Sequence, residues 1–173
     1  EGHLDAAGVL HAAKVSFRPG ARITAVIESY DGVSMTLLGV PVQIPSFAEV
    51  DPSLTLANGL KVEVRGNPSA DGAGVVALRI EPPSGNADRV FVRAVATAKS
   101  NATPSAPSVT VLGFAVSTAG ATFRGLADEL MTPQAFYAAV EPGRTVVKVR
   151  AASAADVSGT AFAAEELELE GDE

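Results

Sequence analysis

Two histidines stand near the start of this 173-residue chain, His3 and His11, with Asp5 between them. Imidazole and carboxylate are common donors for zinc and other divalent ions. Spacings of two and six fit no common metal site, and the stretch offers no further ligand. His3, Asp5 and His11 are therefore expected on a solvated strand surface, and neither histidine has the elbow or strand-end context of a Ser-His-Asp relay. Carboxylates concentrate in AEELELEGDE, 164–173. On a strand, Glu166, Glu168 and Glu170 share one wet face. With Asp172, and with Asp71 of an earlier turn, that face could draw a cation, Ca²⁺ included. It lacks the spaced acidic loop that makes a calcium site, so the expected role is a solvated outer face.

Other chemistries are poorly supplied. There is no cysteine, which removes disulfides, thiol nucleophiles and thiolate metal sites together. No nucleophile–base pair can be assembled, so the chain is expected to be non-enzymatic, with no catalytic, cofactor-binding or metal residue and no cofactor. A pair of glycosidase carboxylates would want sugar-stacking aromatics, yet there is no Trp and there are two Tyr. Gly72-Ala73-Gly74 precedes a strand rather than a helix, so it is no phosphate cradle. Asn101-Ala102-Thr103 fits a glycosylation acceptor by coincidence. The net charge of −7 opposes phosphate backbones and anionic membrane surfaces. Phe17, Phe91, Phe114 and Phe123 are expected in the core, and Phe136 and Tyr137 on a short helix. Arg22, Arg65, Arg79, Arg89, Arg93 and Arg150 are scattered, each near an acid. Nucleic acid is not an expected partner. No apolar run approaches the roughly 20 residues of a membrane helix.

The elements that would carry these side chains declare themselves by repetition. SMTLLGVPVQI at 34–44 returns as SVTVLGFAVST at 108–118, with Ser, Thr, Leu, Gly and Val identical. Such self-similarity marks repeated architecture. Downstream of each copy comes a strand, a turn rich in small and polar residues, and a second strand. Val62 and Val64 alternate with Lys61, Glu63 and Arg65; Val147 and Val149 alternate with Lys148 and Arg150. Period-two alternation predicts one buried face and one wet face. Leu78 and Ile80 alternate with Arg79 and Glu81, as Leu167 and Leu169 do with the glutamates. Upstream, Ile23, Ala25 and Ile27 point one way, and Asp31-Gly32 predicts a hairpin turn. Gly39 and Gly113 read as bends or bulges. The stretch KSNATPSAPS reads as a loose loop. Thr132 as N-cap and Pro133 at the first position predict about two helical turns, ended by Pro142 and Gly143.

Each copy thus supplies about five strands. The expected class is all-β, with two tandem OB-like five-stranded Greek-key barrels and a short helix in the second. A single seven- or eight-strand sandwich is the alternative. The boundaries are 20–84 for the first barrel and 85–173 for the second, each with its own interior. GVLHAAKVSFRP, 8–19, resembles GVVALRIEPP, 74–83. Residues 1–19 are therefore read as the tail of a preceding repeat or a docking strand, and Glu1 as first residue points to a processed or trimmed chain.

The frame of ITAV, SxTxLGxxV, a Gly before VEVRG or VKVRA, and an ALRIE-like last strand resembles a bacterial family of unknown function. That family occurs as tandem OB-like barrels in exported proteins and lipoproteins. The resemblance implies export to periplasm, outer membrane or exterior, and tandem assembly; it implies no activity. Ala151 in place of Gly66 and the expanded 97–107 loop depart from the pattern. The expected function is a structural or interaction module, a piece of a longer array, whose partner is another protein, either an envelope component or a second copy. The N-terminal strand could add to a sheet edge and so make a homo-oligomer. The alternative is a small-ligand or cation-binding barrel.

Overall fold

The structure is a computed structural model and describes residues 2–12, 19–84, 89–100 and 108–171. The fold is all-β with one short helix. A small hairpin comes first, β1 (Gly2–Leu4) against β2 (Leu10–Ala12), in a two-stranded sheet of its own. The phenylalanine and valine of the expected docking strand, Phe17 and Val15, lie outside the described residues.

The first barrel is built from β3 (Ala21–Tyr30), β4 (Ser34–Leu37), β5 (Val40–Gln43), the two-residue β6 (Glu49–Val50), β7 (Lys61–Pro68) and β8 (Val75–Glu81). Pairing runs β3–β4–β5–β8–β7 and back to β3, with β5 and β8 parallel. The sheet therefore closes on itself, which removes its edges.

The same order of pairings recurs downstream. β9 (Val90–Ser100) pairs with β10 (Ser108–Val111), and β10 with β11 (Phe114–Ser117). Next come β12 (Thr122–Arg124), β13 (Leu130–Met131), helix α1 (Pro133–Ala139) and β14 (Val146–Ala151). A single 3₁₀ turn at Ala154–Asp156 leads to β15 (Val157–Ser158), β16 (Ala161–Ala163) and β17 (Glu166–Glu170). The fifth strand is split: β16 pairs parallel with β11, and β17 pairs antiparallel with β14, which returns to β9. The strand that begins the second half outlasts its expected end, since β9 continues through Lys99 and Ser100.

Several expectations change. Gly39 and Gly113 are not bends within a strand. Leu38-Gly39 and Leu112-Gly113 are two-residue hairpin turns, with φ of +54° and +74° in one and +48° and +80° in the other. Positive φ at both positions matches the turn to the twist of its strands. Leu78 does not face the core. The register slips between Arg65 and Gly66, so Ala77 and Ile80 are buried and Leu78 is the extra residue of a bulge. A Cβ on Gly66 would lie 2.1 Å from the Val76 carbonyl oxygen, which is why glycine stands there. In the second half Ala151 ends β14 instead. The helix starts as expected, with the Thr132 hydroxyl accepting from the Ala135 N–H at 3.2 Å, but stops at Ala139. Lys99 donates at 2.6 Å to the carbonyls of Tyr137 and Val140 and so satisfies that end.

The two barrels share a wall. Arg22, Ile23 and Thr24 of β3 pair antiparallel with Arg93, Val92 and Phe91 of β9. Matching registers continue this into one sheet, β8–β7–β3–β9–β14–β17–β12. Its inner face carries Ile80, Val64, Ile23, Val92, Val149, Leu167 and Phe123, all buried. The expected two interiors are one continuous cluster of buried apolar side chains.

Candidate functional site

The outer face of the shared wall gathers most of the charged residues that the sequence left dispersed. Successive registers place Arg79, Arg65, Arg22, Arg93 and Lys148 side by side on β8, β7, β3, β9 and β14. The arginines are therefore not scattered; four of them form one row with a lysine. The next row reads Glu81, Glu63, Thr24, Phe91, Arg150 and Glu166. Neighbouring strands lie about 4.8 Å apart, and like charges directly opposite repel. Such a row stands only because carboxylates flank it.

Glu63 is the centre of that compensation. Alternation predicts it on the wet face, yet it is fully buried. Its Oε2 accepts from Arg22 Nη2 at 2.6 Å and Ser84 Oγ at 2.9 Å. Its Oε1 accepts from Arg65 Nε at 3.0 Å. Burial pushes this carboxyl up, and the bonds from Arg22, Ser84 and Arg65, with the charge of Arg22, overcome that and hold it at about 2. The anion is kept because every desolvated lone pair finds a cationic or hydroxyl donor. Arg22 also lies over the Phe91 ring, 4.8 Å from its centroid. Phe91 is thus half-buried on the outer face rather than in the core, while Phe114 and Phe123 are buried as expected.

At the other end of the wall the acidic strand is equally engaged. Glu166 accepts from Arg124 at 2.8 Å and from Arg150, Glu168 pairs with Lys148 at 2.6 Å, and Glu170 pairs with Arg93 at 2.6 Å. Burial raises the Glu170 carboxyl, but Arg93 and Lys148 bring it below its ordinary value. These three glutamates share one face as expected, but they meet arginine and lysine. Asp172 lies outside the described residues. Asp71 is used locally, accepting from Ser69 and from the Ala73 N–H. His3 stands opposite His11 in the β1–β2 hairpin, and His11 bonds Asp5 at 2.9 Å. Among the described residues no group of three or more His, Asp or Glu could hold a metal ion.

A groove of about 300 Å³ opens over the junction of the barrels. Its cationic lining is Arg22, Arg89, Lys148 and Arg150. Thr24 and Ser84 add hydroxyls, and Phe91 adds a ring. Ser84 and Phe91 of this groove, and Glu63, which bonds Ser84 and Arg22, are the residues whose place the sequence did not reveal. The signal was a glutamate between Lys61 and Arg65, each two residues away on its own strand, and opposite Thr24, but its meaning depends on which strand lies beyond β3.

A second cleft, of about 240 Å³, lies where the twin hairpin tips meet. Leu38 and Gly39 line it from one barrel, Leu112, Gly113 and Phe114 from the other. The repeated Leu-Gly turns thus face a common space.

Residues 24–81, the first barrel from within β3 to the end of β8, match the family model described as "Domain of unknown function (DUF5666)". No curated protein and no solved structure matches the chain significantly. Among the described residues no helix is long and apolar enough to cross a membrane.

Proposed function

We propose that this chain is a non-enzymatic structural and interaction module, in which two copies of one OB-like barrel are locked into a single rigid body. The observation that carries the reading is the β3–β9 pairing. It joins the barrels by backbone hydrogen bonds and fuses their buried side chains into one cluster, where a flexible tether would leave each barrel to move alone. The barrel interiors are filled by aliphatic and aromatic side chains, so the described chemistry is on the outside. Exposed large apolar residues lie mainly on loops, Val33 and Phe47 on the first barrel and Leu126 on the second. Loops held by a rigid scaffold are where contacts are usually made. On this reading the chain belongs to an exported bacterial protein and meets another protein through those loops.

The rigid-body part is tested by small-angle scattering with ¹⁵N relaxation. A compact body of this length has a radius of gyration of about 16 Å. The expected result is that value and one rotational correlation time for both barrels. Two correlation times, or a radius that grows with salt, would overturn the reading.

A further inference from the structure

The shared wall holds an arrangement that a purely mechanical role does not call for. Its five-cation row is compensated from the two ends of the sheet. Glu63 and Glu81 serve the β7–β8 end, and Glu168 and Glu170 serve the β17 end. At the junction itself the outer residues beside Arg22 and Arg93 are Thr24 and Phe91, which carry no charge. Among the described residues the groove over that point is lined by four cationic side chains, two hydroxyls and one ring, and by no carboxylate.

The donors there are not exhausted. A guanidinium has five N–H groups in a fixed fork. Arg22 spends Nη2 on Glu63 and Ser84, while its buried Nε has no partner. A buried donor left unmet is costly and rare in a finished structure. Arg89, half-exposed at the mouth, has Glu165 at 3.7 Å, a loose pair. Arg150 donates Nη1 to Glu166 and reaches Glu168 at 3.5 Å with Nη2, and Lys148 pairs with Glu168 at 2.6 Å, so each of the two still carries N–H groups beyond those bonds. The Phe91 face is already covered by Arg22, so the groove selects for charge and not for a stacking ring.

We propose that this groove binds a compact oxyanion group, of the phosphate, sulfate or carboxylate type, held by Arg22, Arg89, Lys148 and Arg150; the Ser84 and Thr24 hydroxyls line it but donate to Glu63. The volume admits a small multiply charged anion. The site spans both barrels: Arg22 and Thr24 come from the first, Arg89, Phe91, Lys148 and Arg150 from the second, and Ser84 from the link. Occupancy therefore stabilises the junction as well as the ligand.

The experiment titrates the full chain with sodium phosphate, sodium sulfate and sodium citrate at constant ionic strength, balanced with chloride. Calorimetry and amide chemical shifts are the readouts. The expected result is saturable binding of at least one of the three, with shifts concentrated at 22–24, 84, 89–91 and 148–150. Phosphate and sulfate bound above citrate assigns a tetrahedral anion, and the reverse order assigns carboxylates. Arg89→Gln weakens binding at least fivefold with an unchanged melting temperature, and Arg150→Gln does the same or more. Arg144→Gln, in an exposed turn of the second barrel, leaves it unchanged. Shifts that rise linearly and spread over all surface arginines, or equal affinity in Arg89→Gln, would overturn the proposal.

Discussion

Glu63 shows how a single side chain can be read correctly in type and wrongly in place. Its folded carboxyl sits at about 2, below the ordinary 4.5. A group whose value falls on folding stabilises the native state above its unfolded value and loses that contribution as acid is added. The window therefore runs from about pH 5 down to about pH 2, and the contribution is about 3 kcal/mol. Glu170 acts in the same direction. Urea unfolding at pH 7 and at pH 3 should show wild type losing stability steeply on acidification and Glu63→Gln losing less. At pH 7 the variant should be weaker by about 3–5 kcal/mol, because Arg22 and Arg65 then lack their buried counter-charge. Equal pH slopes in the two proteins would remove Glu63 from the account. Leu38 and Leu112 make a different bargain. Each takes the left-handed backbone that costs a non-glycine residue about 1–2 kcal/mol, and each is nearly fully buried, which returns about as much.

At the scale of elements, most of the alternation was legible. Val62, Val64, Val147, Val149, Leu167 and Leu169 all face inward as their spacing requires. The helix cap was legible because Thr-Pro at its start has one local meaning. What failed were features fixed by a neighbouring strand. The bulge at Leu78 arises because Gly66 must pass close to Val76, and nothing within LRIE announces it. The burial of Glu63 arises because Ser84 and Arg22 bond it, and Arg22 was expected as one of several scattered arginines, each near an acid. The outward turn of Phe91 likewise follows from its register opposite Thr24 and Arg150. Gly66→Ala should test the bulge directly. The added methyl meets a backbone carbonyl, so a loss of at least 2 kcal/mol is expected in chemical denaturation. A change within 0.5 kcal/mol would mean that β7 and β8 can part without cost.

For the whole molecule, the β1–β2 hairpin is the element least tied to the rest. Among the described residues its two strands pair with each other, and neither pairs with a barrel strand. A two-stranded ribbon is marginal by itself and carries open backbone edges. Strand addition to a second copy is the assembly these edges suit. Light scattering at rising concentration should show a mass above that of one chain, and removal of residues 1–12 should return it to one chain with the same melting temperature. A truncated chain that keeps the larger mass, or a full chain that never exceeds one copy, would refute that assembly. The sequence made two copies visible through SxTxLGxxV, but it carried no sign that they would share a wall. Three paired residues on each side of a junction leave no periodic trace.

The junction pairs Ile23 with Val92, the corresponding residue of the other half, and the strands run in opposite directions. That is the geometry of two like subunits about a dyad. If the halves arose by duplication, their common precursor had a self-complementary edge and would have formed a homodimer. Fusion then freed each half to diverge. Glu63 on one side and its positional counterpart Lys148 on the other are of opposite sign, a distinction no symmetric pair can make.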